Sequence, residues 1–240
     1  MIATNETRFD REAWFTLGEV LMDGELGLYI TAPNLTTGAG GIGATYTDAD
    51  WERAIRHSVG KDGRVLIIMP SNFYSHYSDE DLGAMIAYLK SVPPVDNDLG
   101  VRQVGFPGTA LGAVALDEFT GFNAIDHANV GNGAATVGKT AEYGEYLTQI
   151  GMCGECHAAN LAGIFVEDGP PPGPNITPGG ELGDWTEDEF INTLRTGITP
   201  SGEQLDPEQM PWPTLAQMSD ADLQAIWMYL SDLPALPDNE

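Results

Sequence analysis

The residues of this chain whose types and spacing could do chemistry are gathered in one pentapeptide, Cys153-Gly154-Glu155-Cys156-His157, which contains both cysteines of the protein. The pattern C-x-x-C-H is the attachment signature of a c-type haem. Two thiols separated by two residues can add across the haem vinyl groups, and the adjacent imidazole can then supply an axial nitrogen to the iron. Two other readings of a C-x-x-C pair are weaker here. A thioredoxin-like redox pair needs a βαβ context, and a zinc site needs two more ligands where no second cysteine pair exists. The expected cofactor is one covalent haem c on Cys153 and Cys156, with His157 on the iron.

A second axial ligand is expected on the opposite face, often Met. After the motif's own neighbour Met152, which cannot reach that face, the candidates are Met210, Met218 and Met228. Met218 and Met228 flank or sit within a helical pattern, where Met usually fills core gaps. Met210 lies in Pro207-Glu208-Gln209-Met210-Pro211-Trp212-Pro213. Proline on both sides stiffens that loop, which suits a weak thioether ligand. The alternative is a Met simply packed under a proline-rich loop.

The 240-residue chain carries 36 Asp+Glu against 10 Lys+Arg, a net charge of −26. The imbalance is steepest at the C-terminal end: residues 141–240 hold 18 acids and a single basic side chain, Arg195. Nucleic-acid binding is excluded, because phosphate contacts need a basic patch. Redox partners with a basic docking surface fit this charge, and so does an acidic surface adapted to solubility or high salt. Haem c attachment takes place outside the cytoplasmic membrane, so a periplasmic or otherwise extracytoplasmic protein is expected, free or membrane-associated. The start of the chain shows neither the basic nor the apolar region of an export signal. The longest strongly apolar run, Val65-Leu66-Ile67-Ile68-Met69, is too short to span a bilayer. An export signal or anchor removed from the chain, or a start that is not the native one, would account for this.

The elements that must position these residues emerge from an internal repeat. Asn34-Leu35-Thr36 matches Asn175-Ile176-Thr177, and Met69-Pro70 matches Met210-Pro211. Ser78-Asp79-Glu80-Asp81-Leu82 matches Ser219-Asp220-Ala221-Asp222-Leu223, and Ala54-Ile55-Arg56-His57 matches Thr193-Leu194-Arg195-Thr196. Ser78-x-x-Asp81 and Ser219-x-x-Asp222 resemble capping boxes. Apolar residues follow them at helical spacing: Leu82, Met85, Ile86 and Leu89, then Leu223, Ile226, Trp227 and Leu230. Thr47 and Thr186 start shorter helices with Trp51 and Phe190 facing inward. A further helix precedes the cysteines, carried by Tyr143, Tyr146, Leu147 and Ile150. No convincing alternating strand appears. The expected fold class is all-α, with residues 1–94 and 140–240 as tandem domains and a Gly/Ala-rich connector at 95–139.

Residues 140–235 resemble a class I c-type cytochrome domain: an Ala141–Ile150 helix, the Cys153–His157 motif, a Pro174-Asn175 turn, the Met210 loop and a closing helix. The whole chain is similar to two-domain cytochromes c and to cytochrome subunits of membrane-bound dehydrogenases. The resemblance implies an electron carrier, not an enzyme, that relays single electrons from a dehydrogenase or respiratory donor to an acceptor. The alternative is a haem c oxidoreductase acting directly on a small molecule. It also implies that the Pro174 carbonyl orients His157, and that Trp185 and Arg195 contact haem propionates; the bland readings are core packing for Trp185 and a surface ion pair for Arg195. The haem walls would come from Leu161, Ile164, Phe165, Trp185, Leu194, Leu205, Trp212, Leu215 and Trp227. The first domain departs from the family. Counting back 141 residues from Cys153, Cys156 and His157 lands on Glu12, Phe15 and Thr16. Met69 is thus an orphan ligand position, one haem is expected, and Trp14, Phe15, Leu17 and Leu21 are expected to fill the space. His57, His76 and His127 read as structural or solvent-facing.

Overall fold

The computed structural model describes residues 20–23, 28–98, 100, 103–106, 121–131, 136–164 and 173–239. Glu12, Trp14, Phe15, Thr16, Leu17 and Phe165, together with the side chain of Leu21, lie outside the described residues. The chain divides after Asn132 into two compact units.

The first unit contains helices α1 (Asp48–His57), α2 (Ser71–Tyr74) and α3 (Asp79–Ser91). It also contains a small antiparallel sheet of β1 (Val20–Asp23), β2 (Leu28–Thr31) and β3 (Gln103–Val104). The chain is helical, as expected, and this sheet is an addition to the expected plan. Its strands are two to four residues long, too short to register as an alternating pattern. Much of the stretch read as connector packs within this unit. β3 pairs with β2, the chain near residues 95–97 is hydrogen-bonded to Asn34 and Thr36, and Gly131 N–H donates to Ser75 at 2.9 Å.

The second unit adds α4 (Ala141–Ile150) and α5 (Cys153–His157) before its own α6 (Glu187–Thr196), α7 (Trp212–Leu215) and α8 (Asp220–Asp232). Helices α6, α7 and α8 repeat α1, α2 and α3 in length, order and detail. Thr47 and Thr186 close reciprocal capping boxes with Asp50 and Glu189. Ser78 and Ser219 accept from the N–H groups of Asp81 and Asp222. Each cap satisfies donors that a helix start otherwise leaves unpaired, a contribution of about 1 kcal/mol. The Arg near the end of each first helix reaches to the start of the last. Arg56 pairs with Asp79 at 2.8 Å and donates to the Tyr77 carbonyl at 2.6 Å. Arg195 pairs with Asp220 at 2.6 Å and donates to the Ala216 carbonyl.

A third shared device closes each unit. Asn34 Oδ1 accepts from Thr36 N–H, while its Nδ2 donates to the Val95 carbonyl. The second copy does the same with Asn175, Thr177 and Leu236. The Asn-x-Thr loop thereby fixes the segment that leaves the last helix.

The core of the second unit gathers Tyr146, Leu147, Leu161, Leu182, Phe190, Leu194, Leu223, Ile226 and Leu230. Helix α4 packs on α8, and the two backbones meet at Gly144: a Cβ there would run into the Ala225 carbonyl and the Tyr229 side chain. Gly83, in the interior of α3, has open space where its Cβ would stand. The two glycines predict opposite outcomes. Gly144→Val should lower stability by about 1–3 kcal/mol through overpacking. Gly83→Ala should raise it by about 0.5–1 kcal/mol through helix propensity. Denaturant midpoints at unchanged m-value measure both.

Candidate haem site

The motif forms a single helical turn, α5. Positions three and four apart share a helix face, so Cys153, Cys156 and His157 project to one side. The turn is bounded by unusual backbone. Met152, Ala158 and Leu161 hold φ of 61°, 65° and 59°, three of the five left-handed non-glycine residues among those described. Such conformations persist only where the surroundings over-determine them, and they cluster at functional sites. Here they turn the chain sharply into and out of the motif.

His157 is buried, 6% exposed. Its Nδ1 donates to the Pro174 carbonyl at 2.6 Å. That bond fixes the tautomer and leaves the lone pair on Nε2, the state an iron ligand needs. Burial pushes the pKa of the ring down, against the opposing pull of the Pro174 carbonyl, so the neutral form is favoured. Pro174 is held in place from both sides. Ile164 N–H donates to the Gly173 carbonyl at 3.0 Å, and Asn175 is clamped to Leu236 and Asp238. A Cβ on Gly173 would collide with the Cys156 carbonyl, so only glycine lets this loop lie against α5.

Cys153 packs against the core cluster, and burial pushes its thiol up to about 11. Such a cysteine is a thiol at neutral pH, unlike the low-pKa thiolate of a redox-active C-x-x-C. Cys156 is exposed.

Met210 is half-buried and packs against the same core cluster as Cys153. Its N–H donates to the Asp206 carbonyl at 2.9 Å, and its carbonyl accepts from Trp212 N–H at 2.7 Å. With Pro211 at φ −76° and ψ 49°, this is an inverse γ-turn. Trp212 Nε1 donates to the Leu205 carbonyl at 3.2 Å, bracing the loop. Met69 stands in the same turn in the first unit: Ser71 N–H donates to its carbonyl at 2.8 Å, and Pro70 has φ −79° and ψ 51°.

Leu161 and Leu194 lie in the core, with Trp185, Leu215 and Trp227 packed against it. Leu205 and Trp212 brace the Met210 loop, and Ile164 lines a cleft beside Gly173 and Pro174. Arg195 is engaged with Asp220 and Ala216, the ion-pair geometry its counterpart Arg56 also adopts. The residues missed in the sequence are Gly144, Gly173 and the left-handed trio. Only a glycine inside a helical pattern signals the first, and nothing in residue type signals Met152, Ala158 or Leu161. The donor set fits a c-type haem: two cysteines on one face of a helical turn, a buried neutral imidazole with its lone pair on Nε2, and a thioether on a braced loop.

Comparison with known proteins bears on this site. Residues 139–230 match the family described as cytochrome c oxidase, cbb3-type, subunit III. The fructose dehydrogenase cytochrome subunit of Gluconobacter japonicus is 28% identical over 250 residues, covering 94% of this chain and 49% of the relative. A diheme cytochrome c-type protein of Cereibacter sphaeroides is 28% identical over 214 residues, covering 82% and 68%. The cytochrome c subunit of the quinone-type alcohol dehydrogenase of Gluconacetobacter polyoxogenes is 28% identical over 225 residues, covering 83% and 47%. Residues 139–230 match a c-type cytochrome domain, and most of the chain is similar to the cytochrome c subunits of dehydrogenases. It spans about half the length of the fructose and alcohol dehydrogenase subunits that it matches.

Replacing Met210 with Ala should open the iron to exogenous ligands such as imidazole and lower the reduction potential. An unchanged ferric spectrum in that variant would move the ligand to another residue.

Proposed function

We propose that this chain is an electron-transfer haem protein, relaying single electrons between a dehydrogenase or respiratory donor and an acceptor. The observation that carries the reading is the buried, neutral His157 fixed by Pro174 on the helical turn that bears both cysteines. A haem held there supplies a one-electron iron couple. Cys153 and Cys156 would hold it through thioethers, and His157 and Met210 would ligate its iron. With both of these side chains on the metal, the site would offer no place there for a substrate. A thioether ligand and the apolar packing of Trp185, Leu194, Leu215 and Trp227 would favour the reduced state.

The names of several relatives, subunits of dehydrogenases, support a dehydrogenase as partner. The charge of residues 141–240 supports a basic docking surface on a redox partner. Haem attachment chemistry supports an extracytoplasmic location. No helix among the described residues is long and apolar enough to cross a membrane. For the first unit, the lack of cysteine before Cys153 supports a single covalent haem per chain, with Met69 as a ligand position left without a partner.

Two measurements test this reading. Acid denaturation followed by organic extraction should leave all haem on the polypeptide, at one haem per chain. Extractable haem would overturn the attachment, and a ratio of two would give the first unit a haem of its own. Electron transfer with a basic partner should slow steeply as ionic strength rises through about 0.1 M, where the screening length falls to about 10 Å. Rates flat in salt would favour an acidic surface that serves solubility alone.

A further inference from the structure

Two histidines far from the motif in sequence meet in the first unit. His57 ends α1, and His127 follows the 3₁₀ turn Phe122–Ala124. Their Nδ1 atoms are 2.9 Å apart, a hydrogen-bond distance. The rings lie within 17° of parallel with centroids 5.2 Å apart. So wide a centroid separation around so short a nitrogen gap means that the rings meet end on, with their lone-pair axes nearly collinear. That arrangement has room for a proton between the nitrogens and none for a metal ion.

The tautomers follow. His127 Nε2 lies 3.2 Å from the Phe122 carbonyl. A carbonyl only accepts, so Nε2 carries hydrogen and Nδ1 of His127 keeps its lone pair. His57 therefore donates Nδ1–H to it and keeps a lone pair on its own Nε2.

We propose that the His57–His127 pair is an acid-sensitive latch holding residues 121–131 on the first unit, closed with one extra proton and open with two. The first extra proton takes the free lone pair, and its charge is shared by the two rings through the proton between their Nδ1 atoms. The bond becomes charge-assisted, hence stronger. A second proton leaves no lone pair on either Nδ1. Two N–H groups then face each other across the gap, and two cations adjoin. The pair thus titrates in two coupled steps.

The surroundings disfavour a second cation on the pair. Burial first, and then the charge on His127, hold His57 below its ordinary value; Glu52 opposes this and Arg56 adds to it. Arg56 is itself paired with Glu52 and Asp79. Asp126, beside His127, is held below the usual carboxylate range by Asn129 and Ala128 and stays charged. With charge already on His127, His57 takes its proton below its ordinary value, so the docked state loses stability as pH falls through that second, lowered step.

The segment is further attached by the Gly131–Ser75 backbone bond, by buried Ile125, and by Gly121 against Asn72. The residue that receives Gly131 directly follows α2, the helix that begins just after Met69-Pro70. Release of the latch would therefore free the stretch that leads to the unit boundary at Asn132.

Hydrogen exchange on the full haem-loaded chain tests the latch. After correction for intrinsic rates, protection at residues 121–131 should fall about tenfold or more between about pH 7.5 and about pH 5. His127→Asn and His57→Asn should give low protection at both values, with α1 and α3 still protected as the check that the unit is folded. Equal wild-type protection at both pH values, or variants that keep the wild-type pH dependence, would overturn the latch. NMR titration of the reduced wild-type chain needs no variant: the two rings should titrate in coupled, separated steps, and two independent ordinary titrations would sink the proposal.

Discussion

The hydrogen bond from His157 to the Pro174 carbonyl is the constraint around which the second unit is arranged. It must hold an imidazole in one tautomer inside an apolar core, where an unpaired ring N–H would be costly. A single bond can do that only if the acceptor cannot move. Pro174 is therefore pinned by its neighbours: Gly173 against α5, and Asn175 against the segment that leaves α8. Helix α8 in turn packs on α4, whose end delivers the chain into Met152 and the motif. The ligand, the helix that carries it and the loop that orients it form a closed circuit of backbone contacts. Disturbing the α4–α8 crossing at Gly144 would propagate to His157.

The first unit shows which parts of this circuit can stand without the motif. Its caps, its Arg56–Asp79 bridge, its Met69-Pro70 turn and its Asn34–Thr36 clamp match those of the second unit in kind and place, with Arg56 reaching the Tyr77 carbonyl where Arg195 reaches that of Ala216. All of them act within the stretch that runs from the Asn-x-Thr loop to the segment after the last helix. None depends on a cysteine or on the proximal histidine. That independence lets the same devices recur in a unit that contains no cysteine.

Much of this was legible in the sequence because it is written in residue types with narrow uses. Cys153, Cys156 and His157 name their chemistry. Ser and Thr three residues before Asp or Glu name helix starts, and each one forms its cap. Asn34 and Asn175 betray the repeat, although their role as clamps on residues 61 to 63 positions away is invisible without the fold. Arg56 and Arg195 can be aligned but not assigned, because a guanidinium serves a propionate or a carboxylate equally well. The four-residue strands and the left-handed Met152, Ala158 and Leu161 leave no mark, since their conformations are imposed by distant contacts and not by local preference. His57 and His127 read as separate surface residues for the same reason: 70 positions separate two side chains that share one proton.

Where the two copies differ, the differences compensate in part. Phe190 packs on Trp227 in the second unit, at 5.5 Å between centroids. In the first, the matching positions hold Trp51 and Ile86, so the large indole has moved from the last helix to the first. One indole is kept in each pair, while the phenyl ring of the second unit gives way to the smaller aliphatic Ile86 in the first. The exchange carries a polar consequence: Trp51 is buried and its indole N–H has no hydrogen-bond partner among the described residues. The outer face of the last helix shows the other half of the difference. Ala225 is 0% exposed beneath α4, while its counterpart Ala84 is exposed and Tyr88 is 50% exposed. The back half of the first unit keeps its internal bonds but lacks, among the described residues, the helix that covers this face in the second. The helix that precedes the Cys153–His157 turn does more than lead the chain into it: it supplies the wall against which the closing helix of the second unit is packed.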